Sequence, residues 1–546
     1  MEAAAESKLN QQIPCSYKSF AASQNYKDVS NLPKEVSLKQ LVSGSQESPD
    51  QSLSNLKETH EDCCSKASLM PVYAGSITFA FGMTIALIMH IYPGQSLVPV
   101  KGVLVSDHKL CTALGQRVLH DHGSSVDAAI AATLCLSVVY PHVSGVGGGG
   151  VMLVHDIQKN KTRVIDYQTT EPKRLKEEML LDFPHLKAGL EVGVPGMLRG
   201  LHQAHSLYGS LSWEDVVSRP ATVAEEGFNV SHSLAEAIEQ VKGKKLSKHF
   251  QDIFFPNGLA LQSGSLLRIP GLVGVLQAPL LDFYDGNFSQ EIEEEVRANG
   301  GVLSREDTSS YTVQVEQPVE TLLNDSIIQV PPGAALISDL SLLQGYHHNE
   351  NNTTESQEHH WNAETQVAGQ VVVMGPDDFM VSVSRWCCYQ RRSDVNCGYV
   401  CAILNFSWPR KTQGQHLTNQ RNRFHPGKRT SSSLAPTIVV PAWSKCGIYM
   451  AFGSRNEQQS LSIITQVMSS AIMFPKEKNE TFTRRRNSQL ESDRALIDSE
   501  FPGESAQLQG DGHGTQIVKT NSEVCEIMRK KDIIMAIMLP RLSDNS

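Results

Sequence analysis

SSVDAAIAATLCLSVVYPHVSGVGGGGVMLV, Ser124 to Val154, is the stretch on which the reading of the fold turns. Ser124 or Ser125 supplies a capping hydroxyl, and Ala and Leu recur behind it at helical spacing, which predicts a helix through Leu136. Four glycines, Gly147 to Gly150, then open the apolar run GVMLVHDI, and TRVIDY follows across QKNK. Both runs read as strands of one hairpin. Helix, glycines, strand is the reverse of a dinucleotide-binding turn, and no Gly-Lys-Ser/Thr follows, so a phosphate cradle is excluded. The remaining reason for the glycines is steric: without a Cβ they admit close backbone approach or a positive φ.

Working outward, EVGVPGMLRGLHQAHSLYG predicts a Gly-Pro turn and a helix, and SWEDVVSRPATVAEEGFNVSHSLAEAIEQ is helical in parts. After a polar break at 347–360, the runs GQVVVMG, FMVSVS, TIVVPAW, CGIYMAFG and DIIMAIMLP are strand-like. Helices fall mostly before residue 340 and strands mostly after it. The pattern is α+β, or a layered sandwich.

Leu69 to Tyr92 runs without a formal charge for about 24 residues, enough to cross a bilayer, which needs about 20. A buried soluble helix of that length would show a polar face. A tail of 68 residues precedes the run, which argues against a cleaved signal peptide. Seven asparagines open glycosylation sequons: Asn229, Asn287, Asn324, Asn351, Asn352, Asn405 and Asn479, all after the run. None of the asparagines before it does so. The expected organisation is a disordered cytoplasmic tail (1–68), a transmembrane helix (69–92), a linker (93–103) and an extracellular or lumenal domain (104–546). That is a single-pass type II membrane protein with a signal-anchor.

A formal charge of −10 spread over 546 residues, with both signs mixed, points to no nucleic-acid partner. Eleven cysteines is an odd number for an oxidising compartment. Cys387, Cys388, Cys397 and Cys401 have poor zinc spacing, so a disulfide or free thiols outweigh a metal there. The pairs His347-His348 and His359-His360 lie in an Asn-rich stretch that reads as a loop. No metal and no cofactor are expected.

GSSVDAAIAATLCLSVVYPHVSGVGGGGVMLVHD resembles the signature of the gamma-glutamyltransferase family, the gamma-glutamyl transpeptidases or glutathione hydrolases. Further resemblances follow in family order: VGVPGMLRGL, PPGAALISDLSLLQG, MGPDDF, NFSWP, PGKRTSSSLAPTIVV and DIIMAIMLP. They span about 104 to 540. The resemblance implies an amino-terminal-nucleophile hydrolase-like αββα sandwich behind the single transmembrane helix. It also implies a chain that cuts itself before a threonine, with a large-subunit part at about 104–364 and a small-subunit part at about 365–546. The freed threonine amine then acts as base and its hydroxyl as nucleophile, taking the gamma-glutamyl group of glutathione as an acyl-enzyme and passing it to water or an amino acid.

Site residues follow from the same resemblance. The nucleophile position maps to Val367, which has no hydroxyl; Thr365 is the nearest candidate. The arginine that grips the glutamyl α-carboxylate maps to Gln168, and the aspartate that grips its amine maps to Asn405. The family asparagine maps near Cys388, and of the oxyanion glycines only Gly453 is present. The substrate-binding serine pair survives as Ser432 and Ser433. A helical segment before Met374 is missing relative to the family.

The leading expectation is therefore a family member with impaired or absent catalysis, a membrane-anchored pseudoenzyme. Two alternatives stand beside it. One is an active glutathione hydrolase using Thr365 after autoprocessing; the other is a non-enzymatic interaction protein or a truncated splice product. Expected partners are the lipid bilayer, glutathione or gamma-glutamyl peptides, and related membrane proteins in hetero-association.

Overall fold

The glycine-led run becomes the centre of a six-stranded sheet. The structure, a computed structural model, describes residues 76–84, 102–143, 145–180, 188–243, 248–334, 369–386, 436–443, 447–454, 489–491, 494–498, 514–518, 524–530 and 533–538, with isolated positions at 427, 429, 445, 468 and 472. The main strands are β1 (Val103–Ser106), β2 (Gly149–Asp156), β3 (Lys161–Asp166), β4 (Gln314–Glu316), β5 (Val319–Leu323), β6 (Ser326–Val330), β7 (Gly369–Met374), β8 (Phe379–Trp386), β9 (Thr437–Pro441), β10 (Ile448–Ser454), β11 (Val524–Lys530) and β12 (Ile533–Met538). One sheet has the order β1-β7-β8-β2-β3-β4 and the other β12-β11-β10-β9-β6-β5. Neighbouring strands in both sheets are antiparallel.

The predicted hairpin is β2 and β3, with Val151 opposite Asp166 and Asp156 opposite Lys161. Alternation along the strands builds two cores. Met152, Val154, Val371 and Val373 face the helices. Val151, Leu153, Val372 and Met374 face Ile438, Val440, Ala451 and Ile527 of the second sheet. Each such side chain contributes about 1.5–3 kcal/mol when fully buried. Helix, sheet, sheet is the layer order. Among the described residues no second helical layer completes the expected αββα sandwich.

Four helices matter for the site: α1 (Lys109–His120), α2 (Ser125–Val139), α3 (Met197–Tyr208) and α4 (Trp213–Glu226). Ser124 caps α2, accepting from the Asp127 N–H at 3.0 Å, while the Asp127 carboxylate accepts from the Ser124 N–H at 2.9 Å. The helix runs three residues beyond the expected Leu136, to Val139. It stops there because Pro141 disfavours helical backbone at Tyr140. All fifteen residues of α2 are buried, as an apolar helix without a polar face must be. The disulfide Cys111–Cys135 ties α1 to α2. Strands before residue 340 are more numerous than the single expected hairpin: β1, β4, β5 and β6 also lie there.

The β7–β8 turn, GPDD, fastens the layers together. The Asp377 carboxylate accepts from the Ser125 N–H at 2.7 Å and from the Ser125 hydroxyl, at the start of α2. Asp378, in left-handed backbone with φ 60°, accepts from Arg529 Nη1 of β11 at 2.8 Å.

Residues 13–98 form a separate unit whose described part is a helix over 76–84. The rest of the predicted span 69–92 lies outside the described residues, and among the described residues no helix is long and apolar enough to cross a membrane.

Candidate functional site

Two of the four glycines, Gly149 and Gly150, make room for Tyr167, the residue after β3. Tyr167 is fully buried. A Cβ at Gly150 would lie 2.8 Å from Tyr167 Cε2, one at Gly149 2.9 Å from the Tyr167 carbonyl oxygen, and one at Gly200 of α3 2.1 Å from Tyr167 Cβ. Gly148 works through its carbonyl, which accepts from the N–H groups of Gly196 and Met197 at 3.1 and 2.9 Å. Those are orphan donors at the start of α3. The glycines are thus structural, as the sequence predicts.

Tyr167 delivers the next residue, Gln168, to a place just past the end of β3. The Gln168 N–H donates to Asp166 Oδ1 at 2.9 Å and its Nε2 to Asp166 Oδ2 at 3.2 Å. Its carbonyl accepts from the Tyr311 hydroxyl at 2.8 Å and from Arg429 Nη1 at 3.2 Å. Its Oε1 is buried with no hydrogen-bond partner among the described residues.

Arg429 belongs to the PGKRTSSS segment, and a backbone bridge between Thr170 and Arg429 brings this residue beside position 168. Its guanidinium is committed to the protein. Nη1 also donates to the Tyr311 hydroxyl at 3.0 Å, Nη2 donates to the Thr312 carbonyl, and Asp166 Oδ1 lies 3.7 Å away. A second guanidinium, Arg199, stacks at 4.1 Å over Tyr284 and donates to the carbonyls of Thr308, Ser309 and Tyr311. Tyr284 in turn stacks on Tyr311. Burial pushes the Asp166 carboxyl above its ordinary range, against hydrogen bonding by Gln168 and the charge of Arg429, which lower it. Burial likewise pushes the Tyr311 and Tyr167 hydroxyls up.

Of the sequence-predicted residues, the structure places Gln168 and Gly453. A Cβ at Gly453 would lie 2.7 Å from Oε1 of Gln370, so this glycine sits against the opening of β7. Thr365, Val367, Cys388, Asn405, Ser432 and Ser433 lie outside the described residues, as do Cys387, Cys397, Cys401 and the two histidine pairs. The sequon asparagines Asn229, Asn287 and Asn324 are exposed; Asn351, Asn352 and Asn479 lie outside the described residues. Among the described residues no cluster could hold a metal ion. Sequence reasoning missed Asp166, Tyr311 and Arg429. Arg429 stood inside a motif that it quoted, whereas Tyr311 reaches Gln168 from 143 residues away and carried no local signal.

Among solved structures, the chain is similar to cephalosporin acylase from Bacillus halodurans. This chain matches its solved structure with a TM-score of 0.66 at 20% identity, over 81% of this chain and 95% of that one. The chain therefore shares the fold of that structure. The sequence model of the gamma-glutamyltranspeptidase family matches residues 111–372 and 402–545, and the chain belongs to that family. It is similar to human glutathione hydrolase 7, at 34% identity over 604 residues, covering 95% of this chain and 90% of that protein. Similarity to glutathione hydrolase 2 of Arabidopsis thaliana is more local, 32% over 266 residues and 46% of each chain. The first of these alignments is longer than the chain's own 546 residues, so the human relative carries segments with no counterpart here.

Proposed function

We propose that this chain is a type II, membrane-anchored member of the gamma-glutamyltranspeptidase family with impaired glutathione hydrolysis. Residues 69–92 are its span, and residues 104–546 face the extracellular or lumenal side. The oxidising side is supported by the Cys111–Cys135 disulfide and by the exposure of Asn229, Asn287 and Asn324.

One observation carries the impairment. At the position that the resemblance assigns to the carboxylate-gripping arginine, the Gln168 amide donates to Asp166, and both neighbouring guanidiniums are committed to protein oxygens. The Gln168 side chain therefore offers the glutamyl α-carboxylate no charge, and the guanidiniums beside it are held by protein oxygens. A hydrogen bond to a charged group contributes about 1.5–3 kcal/mol, so its loss weakens substrate binding roughly 10- to 100-fold. Val367 at the nucleophile position removes the acyl-enzyme route itself.

The test is reducing gel electrophoresis of the deglycosylated, C-terminally tagged full chain, with glutathione turnover measured on the same preparation. A single full-length band without turnover is expected. A tagged fragment of about one third of the chain beginning at Thr365, with turnover, would replace this reading by an active enzyme.

A further inference from the structure

At position 168 the donors are spent and an acceptor is left over. Gln168 Nε2 faces the Asp166 carboxylate at 3.2 Å, an orientation fixed by charge, because the opposite flip would set oxygen against oxygen. That turns Oε1 the other way, buried and without a hydrogen-bond partner among the described residues. Arg429 adds no net positive field here: its charge is opposed by Asp166 at 3.7 Å, and the two side chains are only 15% and 14% exposed. Its Nη1 is taken by the Gln168 carbonyl and the Tyr311 hydroxyl, and its Nη2 by the Thr312 carbonyl. A buried acceptor without a donor is costly, and a ligand group that donates to it recovers that cost.

We infer that the subsite at Gln168 has inverted polarity and selects gamma-glutamyl ligands whose α-carboxylate is replaced by a neutral, donating carboxamide. This rests on the proposed reading of position 168 as the glutamyl-end subsite. A free carboxylate brings two further acceptors to a site that offers the acceptor Oε1 and whose nearest charges, Arg429 and Asp166, oppose each other. A carboxamide brings an N–H for Oε1 and no charge. The selectivity is for binding and needs no bond to form or break.

Two probes test it: glutathione, and glutathione with its glutamyl α-carboxylate converted to the primary amide. Binding of each to the full-length protein in detergent is measured by calorimetry at neutral pH. The wild type is expected to bind the amide about tenfold more tightly than the parent. Gln168→Leu, which removes the acceptor, should abolish that preference, and Gln168→Arg should reverse it in favour of the carboxylate; thermal unfolding of both variants confirms that they are folded. Equal binding of the two probes by the wild type, or preference for the parent, overturns the inference. Absence of binding by both probes also overturns it and leaves the impaired-enzyme reading standing. That reading falls on a different result, turnover of the parent glutathione.

Discussion

Replacing Arg529 with methionine cuts the tie between the β7–β8 turn and the second sheet, and its cost can be worked from the structure. Arg529 Nη1 donates to Asp378 Oδ1 at 2.8 Å, and the two side chains are 5% and 4% exposed. Gln158 Nε2 donates to the other carboxylate oxygen at 3.0 Å. Methionine fills most of the arginine stem's volume, so the cost is electrostatic rather than a cavity. Breaking a buried ion pair from one side costs about 3–5 kcal/mol, because the remaining charge is buried without its counter-ion. The retained Gln158 bond sets the expectation at the lower end, about 3 kcal/mol. Adding Asp378→Asn removes the stranded charge, and Asn tolerates the left-handed backbone of that position. The double variant should therefore be more stable than Arg529→Met alone, with a coupling of about 1–3 kcal/mol. Urea unfolding of the full chain at neutral pH, followed by tryptophan fluorescence, measures all three. A loss under about 1 kcal/mol for Arg529→Met, or a double variant as unstable as the sum of the singles, would refute the reasoning.

Three further outcomes are expected. Burial lowers the His155 pKa to about 4, against the charge of Asp156, which raises it. Below the ordinary value of about 6.5 the unfolded chain binds a proton that the folded chain refuses, so stability is lost as pH falls from about 6.5 to about 4, by up to about 3 kcal/mol. His155→Gln should flatten that slope in unfolding measured across the range, and an unchanged slope would contradict the assignment. The Cys111–Cys135 bridge spans 24 residues, and replacing both cysteines with alanine should cost about 3 kcal/mol in the same unfolding assay. Gly200→Ala places a Cβ 2.1 Å from Tyr167 Cβ and should destabilise by about 1–3 kcal/mol, whereas Gly274→Ala, where a Cβ meets nothing within 4 Å, should be neutral or stabilising.

What was legible in the sequence was whatever repeats locally. The α2 helix, the β2–β3 hairpin and five later strands follow from apolar periodicity and turn residues close together in the chain. Strands β4, β5 and β6 were not legible. QVE and VETLL are mostly exposed edge strands, so they lack the alternation that burial on one face imposes. β11 was missed because VCEIMRK carries Glu526 and Arg529 into buried positions, which breaks an apolar pattern. The Cys111–Cys135 pairing depends on how α1 lies against α2, and sequence spacing does not encode that. At the site, Gln168 could be found because it stands beside a motif. The Asp166, Tyr311 and Arg429 group could not, since three distant segments converge there through carbonyl and hydroxyl contacts that leave no residue pattern.

The residues that hold this fold together are not those at position 168, so under the proposed reading the fold can persist while that position changes. Stability lies in two apolar cores on either face of the first sheet, and in polar ties such as Asp377 and the Asp378–Arg529 pair that join the layers. Gln168 contributes to none of these ties. Its place is set by Tyr167, which Gly149, Gly150 and Gly200 hold by leaving room for its ring and backbone. Position 168 is therefore delivered to the end of β3 whatever side chain it bears. Charge at that point can be exchanged for a neutral amide without disturbing the cores, so under the proposed reading the glycines preserve the location of a subsite whose specificity is left to a single residue.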